Sequence, residues 1–336
     1  MIFTAGRRIK MNDAQYIWKI LPDISRTFAF TIPKLPKEVA LDLAIAYAVC
    51  RIIDTIEDSN LSSEKKKSLM GLMIKVLTEP RPKIAEFCDA MNLLSEDKEY
   101  LELVEKTGKV IGALRSRPSK VQEIIVKNAV VMAKGFVEDG VQNIKTFSQQ
   151  NKYCFYAAGI VGHTINELFG HYGYLSQKEV EELMPLAEDN GLALQKVNIM
   201  KDILDDVKDG RHYWPAELLA KYGLTYKTLG SKEHMEESMK VLGELHEDVK
   251  PYFARSLNYI HRLPDKPAGL RIFCANNVLM AIATARTITD SKLFTNERVK
   301  ITREEVYAID REVTRCVENG EPLDMLAIGL EKNALR

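Results

Sequence analysis

Apolar residues recur at three- and four-residue spacing along nearly the whole chain, in stretches rich in Ala, Leu, Ile, Glu and Lys. That period belongs to the α-helix, and the alternation expected of half-buried strands is almost absent. The pattern predicts an all-α protein of roughly ten or more helices. No short-period repeat and no low-complexity linker divides it, so residues 1–336 read as one domain with peripheral ends.

A short helix is expected over residues 11–20. Pro33 and Pro36 then interrupt the chain beyond Ser25-Arg26-Thr27-Phe28. Residues 37–58 read as a long helix, apolar nearly all round and therefore buried. Amphipathic helices are expected over 65–78, 84–88, 99–114 and 121–141, separated by Pro80, Pro82 and Pro118, with Gly135 and Gly140 near the end of the last. Residues 152–174 are again apolar. Their small residues Ala157, Ala158, Gly159 and Gly162 make a thin face, suited to tight helix packing or to a long apolar ligand. A helix over 188–207 is ended by Gly210 and Pro215. Helices over 233–260 (one long helix, with Pro251 as its candidate break), 270–290 and 303–318 complete the set.

Composition narrows the class. Lys+Arg and Asp+Glu are both 47, so the net charge is zero and nothing points to a nucleic-acid partner. The five cysteines, Cys50, Cys88, Cys154, Cys274 and Cys316, are scattered without a Cys-x-x-Cys pair, which suits free thiols in a reducing compartment. No signal peptide and no membrane-spanning apolar run is visible. The expectation is a cytoplasmic monomer without a transmembrane anchor, reaching a membrane surface only peripherally, to release product.

Two stretches break the pattern by placing acids at the ends of apolar helices. Asp54, Glu57 and Asp58 close the helix over 37–58; Asp202, Asp205 and Asp206 close the helix over 188–207. Both triads have i, i+3, i+4 spacing, which groups side chains along one side of a helix. Buried carboxylates are unfavourable unless charge compensates them. Oxygen-only clusters suit hard cations, Mg²⁺ first with Mn²⁺ as a substitute, and leave positions open for phosphate oxygens. The two helix ends are expected to face each other and grip a diphosphate through such ions. Arg26, Arg51, Lys201 and Arg211 are the bases available to its charge. An apolar interior below them would shelter a carbocation from water.

Each feature has a plainer reading. A single acid pair on a helix is common on a solvated face; two, each closing an apolar helix, are not. By pattern alone Tyr153 reads as a core tyrosine. His163 and His171 lack partners at ligand spacing, and Trp214-Pro215 reads as packing. Gly71, Gly108 and Gly112 form no dinucleotide fingerprint.

Four blocks carry a resemblance. They are Ser25-Arg26-Thr27-Phe28; Tyr47 through Arg51 to Asp54-Thr55-Ile56-Glu57-Asp58; Tyr153-Cys154-Phe155-Tyr156-Ala157-Ala158-Gly159-Ile160-Val161-Gly162; and Leu194-Gln195-Lys196-Val197-Asn198 through Asp202 to Arg211-His212-Tyr213-Trp214-Pro215. In these the chain resembles the squalene synthase and phytoene synthase family of head-to-head prenyl transferases, from about residue 20 to about residue 300. The resemblance implies a class I isoprenoid synthase-type helical bundle around a central cavity. It implies condensation of two farnesyl diphosphates to presqualene diphosphate, then NADPH-dependent reductive rearrangement to squalene. Asp54 and Asp58 would bind Mg²⁺ on one wall and Asp202 and Asp206 on the other, with Glu57 and Asp205 completing the acidic sets. Arg26, Arg51 and Arg211 would hold diphosphate, with Ser25, Phe28, Gln195, Asn198 and Lys201 as further substrate contacts. Tyr153 would take a proton-transfer role, and Tyr47 would lie near the reacting carbons. Phe273, Asn277 and Lys300 would meet NADPH, Lys300 from a stretch similar to a basic segment that closes over the nicotinamide.

The Leu-Gln-Lys-Val-Asn form of the fourth block and the segment Phe273-Cys274-Ala275 to Met280-Ala281-Ile282-Ala283-Thr284 resemble the squalene-forming branch most. The chain departs from the family where Lys201 replaces the usual Arg and Asn276-Asn277-Val278 replaces the usual Ile-Pro-Gln. The C-terminal membrane-anchoring helix of eukaryotic members is missing, as in a soluble bacterial or archaeal form. Two rival readings stand beside this one. The first is the same fold without reduction, yielding presqualene diphosphate, dehydrosqualene or phytoene. The second is a non-catalytic helical scaffold that keeps the acidic face only for binding.

Overall fold

The computed structural model describes residues 12–92, 98–138, 143–289, 291–295 and 299–332. The first half forms α1 (Asp13–Ile24), α2 (Arg26–Thr31), α3 (Lys37–Asp58), α4 (Ser63–Thr78), α5 (Ile84–Asn92), α6 (Lys98–Glu105), α7 (Thr107–Arg115) and α8 (Ser119–Glu138). The second half adds α9 (Phe147–Cys154), α10 (Ile160–His171), α11 (Gln177–Lys201), α12 (Ile203–Lys208), α13 (Ala216–Lys221), α14 (Met235–Arg262), α15 (Gly269–Thr287), α16 (Arg303–Asn319) and α17 (Asp324–Glu331). The all-α expectation holds: among the described residues the sole β-type contact is a bridge between Asn143 and His212.

Two long helices organise the packing. α3 buries Leu43, Ala44, Ile45, Ala48, Val49, Ile52 and Ile53 on successive faces, which is why its sequence is apolar all round. It packs on α1, α4, α7, α8 and α10. α11 packs on α10, α14 and α15. The acid-bearing ends thus belong to the central helix of each half. Among the described residues no helix is long and apolar enough to cross a membrane.

Several boundaries differ from expectation for local reasons. Ser25-Arg26-Thr27-Phe28 is a junction of two helices. The Ser25 N–H closes α1 on the Leu21 carbonyl at 2.9 Å, and its Oγ accepts from the Phe28 N–H at 3.1 Å to open α2. α11 begins at Gln177 because Ser176 and Glu179 form a capping box, and Pro185 is accommodated inside it. The one long helix expected over 233–260 forms as α14, which runs through Pro251, its candidate break. The helix expected over 99–114 is split at Lys106. The stretch expected over 152–174 is interrupted by a π turn, Phe155–Gly159, just after Tyr153. The expected helix ends at Met11, Val141 and Asp290, and Gly140, lie outside the described residues.

The thin face of α10 serves tight packing. A Cβ on Gly162 would stand 2.0 Å from the Ala187 carbonyl oxygen, and one on Gly191 would stand 2.3 Å from that of Ala158. The backbones of α10 and α11 touch at these two glycines, which fixes α11 and the acids that follow it.

Candidate active site

The site forms where the C-terminal end of α3 meets α12. A helix turns about 100° per residue, so Tyr47, Arg51, Asp54 and Asp58 fall along one stripe of α3. Gln195, Asn198, Asp202 and Asp206 fall along one stripe of α11 and its continuation. Asp202 sits at the joint between α11 and α12, yet its own N–H bonds the Asn198 carbonyl and its carbonyl accepts from Asp206, both at 2.9 Å. Helical register therefore survives the joint.

The middle acid of each triad leaves the stripe. Glu57 turns inward, is buried, and accepts a hydrogen bond from the Tyr213 hydroxyl at 3.0 Å. Lys66 Nζ donates to the Glu57 backbone carbonyl. Asp205 stands exposed. The grouping of all three acids on one face is thus corrected to a pair on each helix: i+4 falls about 40° to one side of i and i+3 about 60° to the other, so the middle acid stands about 100° from the last.

Basic side chains join the two pairs. Arg51 Nη1 lies 3.6 Å from Asp54 Oδ2 and 3.9 Å from Asp58 Oδ2. Lys201 Nζ lies 3.0 Å from Asp202 Oδ2. Arg211 spans the gap: its Nε meets Asp206 Oδ1 at 3.1 Å, and its Nη1 donates to the Asp58 backbone carbonyl at 3.2 Å. Arg211 is placed by its backbone, whose N–H bonds the Asp206 carbonyl at 2.7 Å, and by the neighbouring bridge, where the Ile144 N–H bonds the His212 carbonyl at 3.0 Å. Trp214 is fully buried, with Nε1 donating to the Ile199 carbonyl at 3.0 Å, the packing role expected of it.

The electrostatics are those of a site short of positive charge. Burial, reinforced by Asp58, pushes the Asp54 carboxyl up to about 7 against the pull of Arg51. Burial does the same to Asp206, also to about 7, against Arg211 and with Asp202 and Asp58 adding to the rise. The influence of Asp58 on Asp206 shows that the two helix ends share one field. Burial lowers Arg211, but Asp58 and Asp206 together hold it above its ordinary range. Among the described residues no three His, Cys, Asp or Glu side chains converge on a metal-sized centre; Arg51 and Arg211 lie against the acids in this arrangement. The donor chemistry nonetheless fits a hard divalent cation, because two of the four stripe carboxylates are under-compensated.

Aromatic rings cluster on the helices that carry the site. Phe28 lies 4.7 Å from Tyr47 and 6.3 Å from Phe273, ring centre to ring centre. The Tyr47 hydroxyl donates to the Ile24 carbonyl at 3.3 Å. Tyr153 is buried between Phe136 at 6.1 Å and Tyr213 at 4.4 Å, the latter ring nearly parallel at 17°. Burial, with Glu57 next, raises its phenol well above the ordinary range. Ser25 caps α2, and Arg26 is exposed at its first position. Asn277 is buried; its amide donates to the Phe273 carbonyl at 2.8 Å and its oxygen accepts from Thr31 at 3.3 Å. Lys300 is exposed ahead of α16. A separate cavity of about 410 Å³ lies between α14, α15 and α17. Its α15 residues, Ile282, Ala285 and Arg286, are on the side of that helix opposite Phe273 and Asn277, so it is no part of this site.

Sequence reasoning missed Tyr213 and Lys66. Tyr213 stands inside the fourth block, but nothing in its spacing connects it to Glu57 or Tyr153. The Lys66 contact depends on the turn between α3 and α4.

The sequence pattern described as "Squalene/phytoene synthase" matches residues 21–305. The squalene synthase of Rattus norvegicus is 29% identical over 274 residues, which is 81% of this chain and 63% of the rat protein. The chain thus spans less than two thirds of that relative's length. Among solved structures, TcSQS with a bound ligand superposes with a TM-score of 0.78 at 22% identity, covering 96% of this chain and 98% of that one. A dehydrosqualene synthase in complex with a ligand gives 0.66 at 18% identity, covering 91% and 97%.

Proposed function

Because the chain belongs to the squalene/phytoene synthase family, we propose that it joins two farnesyl diphosphates head to head through presqualene diphosphate and carries the product on to squalene with NADPH. The observation that supports this most is Arg211, which ties the Asp206 carboxylate on one helix to the Asp58 carbonyl on the other. It brings under-compensated acids from the two helices into one cluster.

Asp54, Asp58, Asp202 and Asp206 are the residues to hold Mg²⁺, which when bound supplies positive charge to the departing diphosphate. The chain's own residues do the rest. Arg51, Lys201 and Arg211 neutralise and orient the diphosphate, the arginines through their planar forks. Lys201 keeps the charge of the usual arginine but contributes a point contact. Phe28, Tyr47 and Phe273 exclude water from the carbocation and face it with π-electron density. Tyr153 is the group placed to move a proton in the first half-reaction.

A second reading, in which the reaction stops before reduction, is favoured by Asn277. It is 5% exposed and its side chain is already bonded to Thr31 and the Phe273 carbonyl, so in this arrangement little of it is open to a nicotinamide. Incubation with farnesyl diphosphate and Mg²⁺, with and without NADPH, separates the readings. Squalene formed only with NADPH supports the first. Presqualene diphosphate or dehydrosqualene in a yield that NADPH does not change supports the second. No release of diphosphate from any prenyl diphosphate would overturn both and leave a binding scaffold.

A further inference from the structure

Tyr213 is held more firmly than a core tyrosine needs to be. Its hydroxyl donates to Glu57 Oε1 at 3.0 Å. Its backbone carbonyl accepts from Gln150 Nε2 at 2.9 Å. Gln150 Oε1 in turn accepts from Lys196 Nζ at 3.1 Å, and that ammonium pairs with Asp248 at 2.6 Å. Tyr213, Glu57, Gln150 and Lys196 are all 5% exposed or less, so these bonds form in a medium where broken partners are expensive. The tethers come from α3, α9, α11 and α14. What this framework presents is the ring face of Tyr213, 4.4 Å from that of Tyr153.

The hydroxyl inventory then follows. A phenol has one proton to give and lone pairs to accept with. Tyr213 gives its proton to Glu57, so its oxygen is left to accept. The two rings are nearly parallel, 17° apart, so a fixed Tyr213 ring sets the plane of the Tyr153 ring and with it the direction of the Tyr153 hydroxyl.

We propose that Tyr213 is a positioning residue for Tyr153, its ring held by the hydroxyl tether to Glu57 and fixing, through the stack, where the Tyr153 hydroxyl stands relative to the reacting carbons. This rests on the reading of Tyr153 as the proton-transfer group. Tyr213 makes no contact with diphosphate in this scheme, so its removal acts on turnover and not on substrate binding.

The test is steady-state kinetics on purified full-length variants. Tyr213→Phe keeps the ring but removes the hydroxyl tether to Glu57; kcat is expected to fall about tenfold with KM for farnesyl diphosphate within about twofold. Placed in a Tyr153→Phe background, the same change is expected to lower the remaining rate no further, because Tyr213 acts only through the Tyr153 hydroxyl. Gln150→Glu keeps the Lys196 acceptor and loses the donor to the Tyr213 carbonyl; a fall in kcat of about threefold at constant KM is expected, and this variant decides the matter if Tyr213→Phe does not fold. Unchanged kcat in Tyr213→Phe, a loss confined to KM, or a further loss in the Tyr153→Phe background overturns the proposal. A wild-type protein that turns over no prenyl diphosphate overturns the functional reading and this proposal with it. That outcome is distinct from an active wild type whose Tyr213→Phe variant is equally fast.

Discussion

At the scale of single residues, the site turns on which acids share a stripe. Asp54 and Asp58, like Asp202 and Asp206, stand about 40° apart around the helix, whereas Glu57 and Asp205 fall on the other side, about 100° from Asp58 and Asp206. Asp54→Asn or Asp202→Asn should lower turnover at least about a hundredfold, with the far-ultraviolet circular dichroism of the wild type. Asp205→Asn, on an exposed side chain, should stay within about twofold in the same assay. Comparable losses in Asp202→Asn and Asp205→Asn would return the triad to one face. The acids, Arg51, Lys201, Arg211 and Tyr153 were legible in sequence because their spacing or their block sets them apart. The Tyr213 contact of Glu57 was not legible, because i+3 and i+4 both count as neighbours on a helix, while only the fold decides which one meets a tyrosine from another segment. Asn277 was legible as a departure from the family, but not as an amide satisfied by Thr31.

At the scale of elements, most helices could be read because an apolar stripe must be buried, and periodicity reports that directly. The joints could not. The π turn at Phe155–Gly159 and the split at Asp202 arise where one helix must fit against another, and no local propensity marks them. The small residues of 157–162 left two options open, a ligand channel or a helix contact. The backbone approach at Gly162 and Gly191 selects the contact. Gly191→Ala drives a methyl into the Ala158 carbonyl and should destabilise the protein by about 1–3 kcal/mol, lowering Tm by several degrees in a thermal melt. Gly71 lies inside α4, and a methyl added there would meet nothing within 4 Å, so Gly71→Ala should stabilise by about 0.5–1 kcal/mol. A Gly191→Ala protein as stable as the wild type would show that the helices can separate freely, and that the contact does not fix α11.

At the scale of the whole molecule, a site built to receive cations leaves the metal-free fold with unbalanced charge, and stability should register this through pH. Burial pushes Asp54 and Asp206 up to about 7, whereas an unfolded aspartate titrates near about 3.9. Between those values the folded protein holds more protons than the unfolded chain. Stability contributed by these groups is therefore greatest in acid, falls as pH rises from about 4 to about 7, and is level above that. His212 and His246, lowered by burial, act in the opposite sense, since the folded state resists their protonation as pH falls. A melt of the wild type alone would mix the two. The difference between wild type and Asp206→Asn isolates the carboxylate, because both proteins carry the same histidines. Without divalent cations, Asp206→Asn should melt higher than wild type by about 2 °C at pH 8, corresponding to about 1–2 kcal/mol. The gap should largely close by about pH 4.5, near the ordinary aspartate value, where folded Asp206 is already neutral. Adding Mg²⁺ with inorganic pyrophosphate at pH 8 should raise the wild type more than the variant, since ligand binding stabilises only the fold that offers the full set of donors. A gap of equal size at pH 4.5 and pH 8 would mean that the Asp206 charge is already balanced by Arg211, and that the acids are a structural ion-pair network with no vacancy for a cation to fill.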